Sequence, residues 1–325
     1  MDILKTLSSR VGLVFPGQGS QYVGMGKQLY DVSPVARKFF EQADTALGFS
    51  LSQLCFHGPK EELDDTINAQ PAILTVSIAG LEALKERMTS LGQEFRPRIA
   101  AGHSLGEYTA MVVSGMLPFD EAVRLVYERG RLMKESSAQR PGGMAAVIGL
   151  DEKVLEEVVR EAQSVGMVTL ANANSPGQTV ISGELQGLQR AMELAQERGA
   201  RMVQRLAISI ASHSPLMQHA SQHFDELLAR VSFSPPQIPL VANISAQMIT
   251  SVDDLRQELA QHLTLPVQWT HSIRAMMAQG VDTIVEIGPQ QVLSSLIKRI
   301  SKEVRPLSLT DVEIAKFIQA VGSKE

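Results

Sequence analysis

Arg98-Ile99-Ala100-Ala101-Gly102-His103-Ser104-Leu105-Gly106, followed by EYTAMVVSGML from Glu107 to Leu117, is the stretch on which the fold turns. Its opening residues read as a short strand, and the last eleven carry a helical pattern. Between them, Gly102-His103-Ser104-Leu105-Gly106 matches G-x-S-x-G. In that pattern small flanking residues let a sharp strand-to-helix turn lift a serine hydroxyl clear of the backbone, which makes Ser104 a candidate nucleophile. The five residues alone would equally suit a loop serine capping the next helix. The strand before them and the helix after them favour the nucleophile.

Outward from that turn, Val11–Phe15 is another short apolar run, and it feeds the glycine loop Pro16-Gly17-Gln18-Gly19-Ser20. QPAILTVSIAGLEALKERM, residues 70–88, has the composition of a helix packed inside a core. From about Gly143 to Ser209 the pattern changes. MAAVIGL, MVTLANAN, QTVISG and ARMVQRLAIS read as strands, and DEKVLEEVVREAQ and ELQGLQRAMELAQERG as helices. The order β-α-β-β-α-β is that of a ferredoxin-like unit. It joins the rest of the chain once at each end, as an insertion would. Residues 214–231 read as a further helix, 238–245 as a strand broken off by polar residues, and 281–289 as a late strand. The expected fold class is α/β, a parallel sheet from residues 1–139 and 210–325 carrying a small α+β insert at 140–209.

Composition sets the outer limits. The chain has 325 residues, 44% apolar and 20% charged, enough for one main domain with an insert. Cys55 is the only cysteine, so no internal disulfide can form. The first fifteen residues, with Asp2, Lys5 and Arg10, have too short an apolar run for a signal peptide, and no stretch reaches the roughly 20 apolar residues of a membrane span. A soluble cytoplasmic protein is expected, with no membrane partner. A net charge of −5, with Lys and Arg spread along the chain, argues against nucleic acid as a partner.

A nucleophilic serine needs a base, and there are seven histidines to choose from: His57, His103, His213, His219, His223, His262 and His271. His103 adjoins the serine and is expected to support the turn. His219 and His223 are four apart on a helix, but no third ligand or adjacent catalytic glutamate accompanies them, so no metal is expected. Gly17-Gln18-Gly19 suggests a phosphate loop, yet Tyr22 stands where the third glycine of G-x-G-x-x-G belongs, and no lysine-bearing P-loop exists. No cofactor is implied.

Six blocks in order resemble the malonyl-coenzyme A:acyl carrier protein transacylases of fatty-acid synthesis and the acyltransferase domains of polyketide synthases. They are Phe15–Gln21, Gly102–Glu107, Glu128–Arg131, Ala211–Ser214, Pro266–Trp269 and Glu286–Pro289. The resemblance covers nearly the whole chain and implies a hydrolase-like core beside a ferredoxin-like subdomain. It implies that His213 is the base for Ser104, oriented by a main-chain carbonyl that would belong to His262, where the family usually has glutamine. The backbone N–H after the serine, that of Leu105, is one oxyanion donor of such an elbow, and the resemblance supplies Gln18 N–H as the second. By the same resemblance Arg129 faces the acyl pocket, where its planar fork would hold a malonyl carboxylate.

The implied chemistry is ping-pong transfer of malonyl from malonyl-coenzyme A through an acyl-serine to the phosphopantetheine thiol of an acyl carrier protein. Two rivals stand beside it, an acyl hydrolase that clears chains from carriers and a non-catalytic carrier-binding module. Arg129 speaks against the first, and intact Ser104 and His213 against the second. Carriers of this family are acidic, which nominates Arg201, Arg205, Lys298 and Arg299 for docking. Ile210-Ala211-Ser212-His213 matches only part of the Tyr-Ala-Ser-His of methylmalonyl-selective domains.

Overall fold

A computed structural model describes residues 10–322. Asp2 and Lys5, used above to exclude a signal peptide, lie outside the described residues. A six-stranded sheet forms the larger half, from β1 (Val11–Phe15), β2 (Ile99–Gly102), β7 (Leu240–Val241), β8 (Met248–Ile249), β9 (Thr283–Gly288) and β10 (Arg305–Thr310). Its order is β10-β9-β1-β2-β7-β8, parallel except for the β7–β8 pair at one edge. β1, β2 and β9 are buried along their whole length, as parallel strands covered on both faces must be.

The 238–245 strand shrinks to Leu240–Val241, because Ala242 N donates to Gln247 O at 2.9 Å and the chain reverses into β8. β8, β10 and the helix Asp311–Gly322 were not anticipated from the sequence. The core helix begins earlier and ends later than expected, at Thr66–Ser90, with Asp65 accepting from Ile67 N as its cap. It is long and apolar enough to cross a bilayer, but 83% of its most apolar window is buried inside the protein. It is a core helix, pressed against helices Pro34–Leu47 and Phe119–Gln139 and strand β9.

The smaller sheet comprises β3 (Gly142–Ile148), β4 (Val168–Ser175), β5 (Gln178–Glu184) and β6 (Met202–Arg205). Its order is β4-β5-β3-β6, antiparallel throughout, with helices Glu152–Ala162 and Leu185–Glu197 packed on it around Val147, Leu155, Ile181 and Leu188. The sequence places β3 first and β6 last, so the middle strands are the first and third, the ferredoxin-like order. Backbone bonds tie the two halves together: Ala173 N donates to Val267 O and Val267 N to Ala171 O, each at 2.9 Å. The cleft lies between the two sheets.

Candidate active site

Ser104 leaves β2 with φ of 51°, in the left-handed region that non-glycine residues rarely occupy. The glycines around it allow this. A Cβ on Gly102 would lie 1.9 Å from the carbonyl of Gly106, and one on Gly106 would lie 2.0 Å from Phe15 O at the end of β1. The motif's spacing is thus a record of two close backbone approaches.

Asn243, buried just past β7, braces the turn from across the sheet. Its Nδ2 donates to Gly102 O and its Oδ1 accepts from Ser104 N, both at 2.7 Å. His103 Nε2 donates to Asn174 Oδ1 at 2.8 Å, and its ring meets Trp269 edge-on. It supports the turn and fastens it to the smaller sheet.

His213 Nε2 lies 2.8 Å from Ser104 Oγ. Its Nδ1 is 3.1 Å from Leu265 O. A carbonyl can only accept, so the proton sits on Nδ1, and the Nε2 lone pair faces the serine hydroxyl, which donates to it. Burial, then the neighbouring His262 and Arg129, hold His213 well below the usual histidine range, leaving a neutral imidazole at neutral pH.

The carbonyl expected from His262 therefore comes from Leu265 instead. Helix Val252–Gln261 ends with His262 turned fully into the core, and Thr264 and Leu265 wrap back, donating to Gln261 O at 3.1 and 3.0 Å. Pro266 follows, and a residue before proline is biased to extended backbone, which suits Leu265 for presenting its carbonyl outward from this turn.

Arg129, on helix Phe119–Gln139, is 1% exposed and lines the same cavity as Ser104 and His213, about 190 Å³ in volume. Its Nη1 donates to Gln70 Oε1 at 2.7 Å and its Nη2 to Ser104 Oγ at 3.2 Å. Tyr108 lies beneath the guanidinium, 5.4 Å away. Among the described residues Arg129 makes no salt bridge, and its Nε has no partner. A buried cation in that state is unsatisfied until an anion arrives.

Gln18 and Leu105 line the cavity as well, and neither backbone N–H has an acceptor among the described residues. The Gln18 side chain is pinned by Thr66 Oγ1, 2.8 Å away.

The four basic residues nominated for docking are scattered. Arg205 lines a groove with Lys134 and Leu185 that shares Gln18 and Ile208 with the cavity. Arg201 lies at the other end of β6, beside Gly149. Lys298 and Arg299 are exposed in the last turn of helix Leu293–Ile300, and Arg299 donates to Gln178 Oε1 on the smaller sheet. His219 and His223 are exposed and stack on each other, 4.3 Å between ring centroids.

Sequence reasoning missed Asn243, Gln70 and Leu265. A polar residue ending a buried apolar run was the only signal for Asn243. A main-chain carbonyl acceptor has no side-chain signature, so nothing in the sequence pointed to Leu265.

A serine on a glycine elbow, sharing its hydroxyl with a neutral imidazole at the mouth of a mixed α/β cleft, marks a protein of the acyl-transfer class. The sequence matches the family model described as acyl transferase domain over residues 13–319. It is 42% identical over 306 residues to the malonyl CoA-acyl carrier protein transacylase of Bacillus subtilis strain 168, covering 94% of this chain and 95% of that one. The solved malonyl CoA-acyl carrier protein transacylase of Coxiella burnetii superposes with a TM-score of 0.90 at 38% identity, covering 97% of this chain and 98% of that one. A malonyl-transacylase solved in complex with a type II polyketide synthase acyl carrier protein gives 0.89 at 37% identity, covering 96% and 100%. The chain belongs to the acyl transferase family and, within it, to the malonyl-coenzyme A:acyl carrier protein transacylases.

Proposed function

We propose that this chain moves a malonyl group from malonyl-coenzyme A to the phosphopantetheine thiol of an acyl carrier protein in the cytoplasm, with residues 140–209 acting as a subdomain that forms one wall of the cleft. His213 Nε2 takes the proton of Ser104 as the hydroxyl attacks the thioester. The tetrahedral oxygen is received by the N–H groups of Gln18 and Leu105, and collapse expels the coenzyme A thiol, which regains the proton from His213. An acyl-serine remains. The carrier thiol then gives its proton to His213 and attacks the ester, and His213 returns that proton to the departing Ser104 oxygen. Leu265 O holds the imidazole in the required tautomer through both halves.

Arg129 carries the choice of acyl group: a buried guanidinium 3.2 Å from the nucleophile, with no salt bridge among the described residues, is the observation on which the malonyl reading rests. A carboxylate two bonds from the thioester carbon meets the fork with charge-assisted hydrogen bonds, whereas an acetyl group offers it nothing. Removing one member of such a buried pair costs on the order of 2–5 kcal/mol. Arg129→Ala should accordingly lower kcat/KM for malonyl-coenzyme A by about a hundredfold or more while sparing acetyl-coenzyme A. The comparison of both substrates in wild type and variant, with transfer read on the carrier, decides it. An equal loss for both would make Arg129 structural, and acyl release to water with no loaded carrier would favour the hydrolase.

A further inference from the structure

Arg129 has a second neighbour that the transfer scheme leaves unused. His262, fully buried, places Nδ1 3.5 Å from Arg129 Nη2 and Nε2 2.8 Å from Glu107 Oε2. A guanidinium can only donate, so the Nδ1 facing it is the unprotonated nitrogen, and the ring carries its single proton on Nε2 toward Glu107. That proton is close to the carboxyl but not well aimed along it, and neither Glu107 oxygen has a well-formed hydrogen bond. Burial, then Arg129, keep His262 well below the usual histidine range, consistent with a neutral ring accepting from a cation. Burial pushes Glu107 up to about 8, with the Asn243 amide and Arg129 opposing it.

We propose that His262 is a positioning residue for Arg129: with Gln70 on the Nη1 side and His262 on the Nη2 side, the guanidinium plane is held toward Ser104, so that His262 tunes the preference for a carboxylated acyl group. The inference rests on Arg129 being the carboxylate anchor. Gln70 fixes one nitrogen, the Nη2 bond to Ser104 Oγ is made to a group that acylation alters, and the Nε contributes no further restraint. The Tyr108 face restrains tilt but not rotation within the plane. His262 supplies a second point that does not depend on the state of the nucleophile. Glutamine, usual at this position in the resembling family, offers the same order of groups, an oxygen to accept from Arg129 and an N–H to face Glu107.

The experiment compares His262→Leu and His262→Gln with malonyl- and acetyl-coenzyme A, taking kcat and KM separately, with thermal melting to establish folding. The leucine variant should lower the malonyl-to-acetyl ratio of kcat/KM about tenfold, chiefly through the malonyl KM, the size of one lost hydrogen bond to a charged group. The glutamine variant should restore the ratio to within about twofold. An equal fall for both substrates, no change in the leucine variant, or failure of glutamine to restore the ratio would each overturn the proposal. Should leucine not fold, His262→Asn, too short to span both neighbours, takes its place with the same expected loss. Arg129→Ala run alongside separates the two readings. If it leaves selectivity intact, the anchor itself is misassigned. If it shifts selectivity and the His262 variants do not, only the positioning role falls.

Discussion

Ser104 and His213 both adopt left-handed backbone, φ 51° and 55°, yet the molecule holds them there by unlike means. The serine is held locally: two glycines within a five-residue window, each pressed against backbone, leave the turn almost no other shape. The histidine is held from a distance. Ser214 Oγ donates to Ala211 O beside it, but its ring is set by Leu265, 52 residues further on, and by Ser104, 109 residues back. The elbow is a property of its own sequence, whereas the base is a property of the assembled core.

The comparison is most exposed at Gly106. A methyl group there would lie 2.0 Å from Phe15 O, a main-chain atom at the end of a buried strand that cannot swing aside. Gly106→Ala should abolish acyl-enzyme formation and lower the melting temperature together; a stable, acylating variant would show that the elbow is not fixed by sterics. Asn243→Ala tests the one long-range brace of the same turn. It strands Gly102 O and Ser104 N, and stability should fall by about 2 kcal/mol or more in denaturant unfolding. A loss under about 0.5 kcal/mol would mean that the glycines suffice without it. Leu265→Ala is the mildest change, because the carbonyl that orients His213 belongs to the main chain. Turnover should stay within about twofold of wild type, and a larger fall in kcat would assign the orienting role to the side chain's packing instead.

The same contrast explains what could be read in advance. The elbow, the glycine loop and the alternation of strands and helices were legible because each is written in residues close together in the chain. The inserted β-α-β-β-α-β unit was legible for that reason too. β10 escaped notice because Arg305–Thr310 is polar at alternate places and half-covered, so it lacks the continuous apolar run of β9 beside it. The strand expected over 238–245 was cut short by a reversal closed by Ala242 N donating to Gln247 O, within which Ile244 N donates to Glu258 Oε1 on helix Val252–Gln261 at 2.7 Å. His262 was expected to contribute its carbonyl and contributes its ring instead. Which part of a residue faces a site depends on where the preceding helix stops, and helix ends are the least certain feature of any pattern.

The cleft over Ser104 holds about 190 Å³, below the roughly 300 Å³ from which pockets take drug-sized molecules. In the proposed scheme both thioester arms use this one cleft in turn. The departing thiol vacates the cleft before the incoming one reaches the acyl-serine, and double-reciprocal plots for the two substrates should run parallel. The two thiols then compete for the acyl-enzyme, and free coenzyme A, reaching the acyl-serine first, takes the acyl group back. Net direction through the proposed scheme is set by the ratios of each thioester to its thiol outside the enzyme, which makes the catalyst an equilibrator rather than a one-way pump.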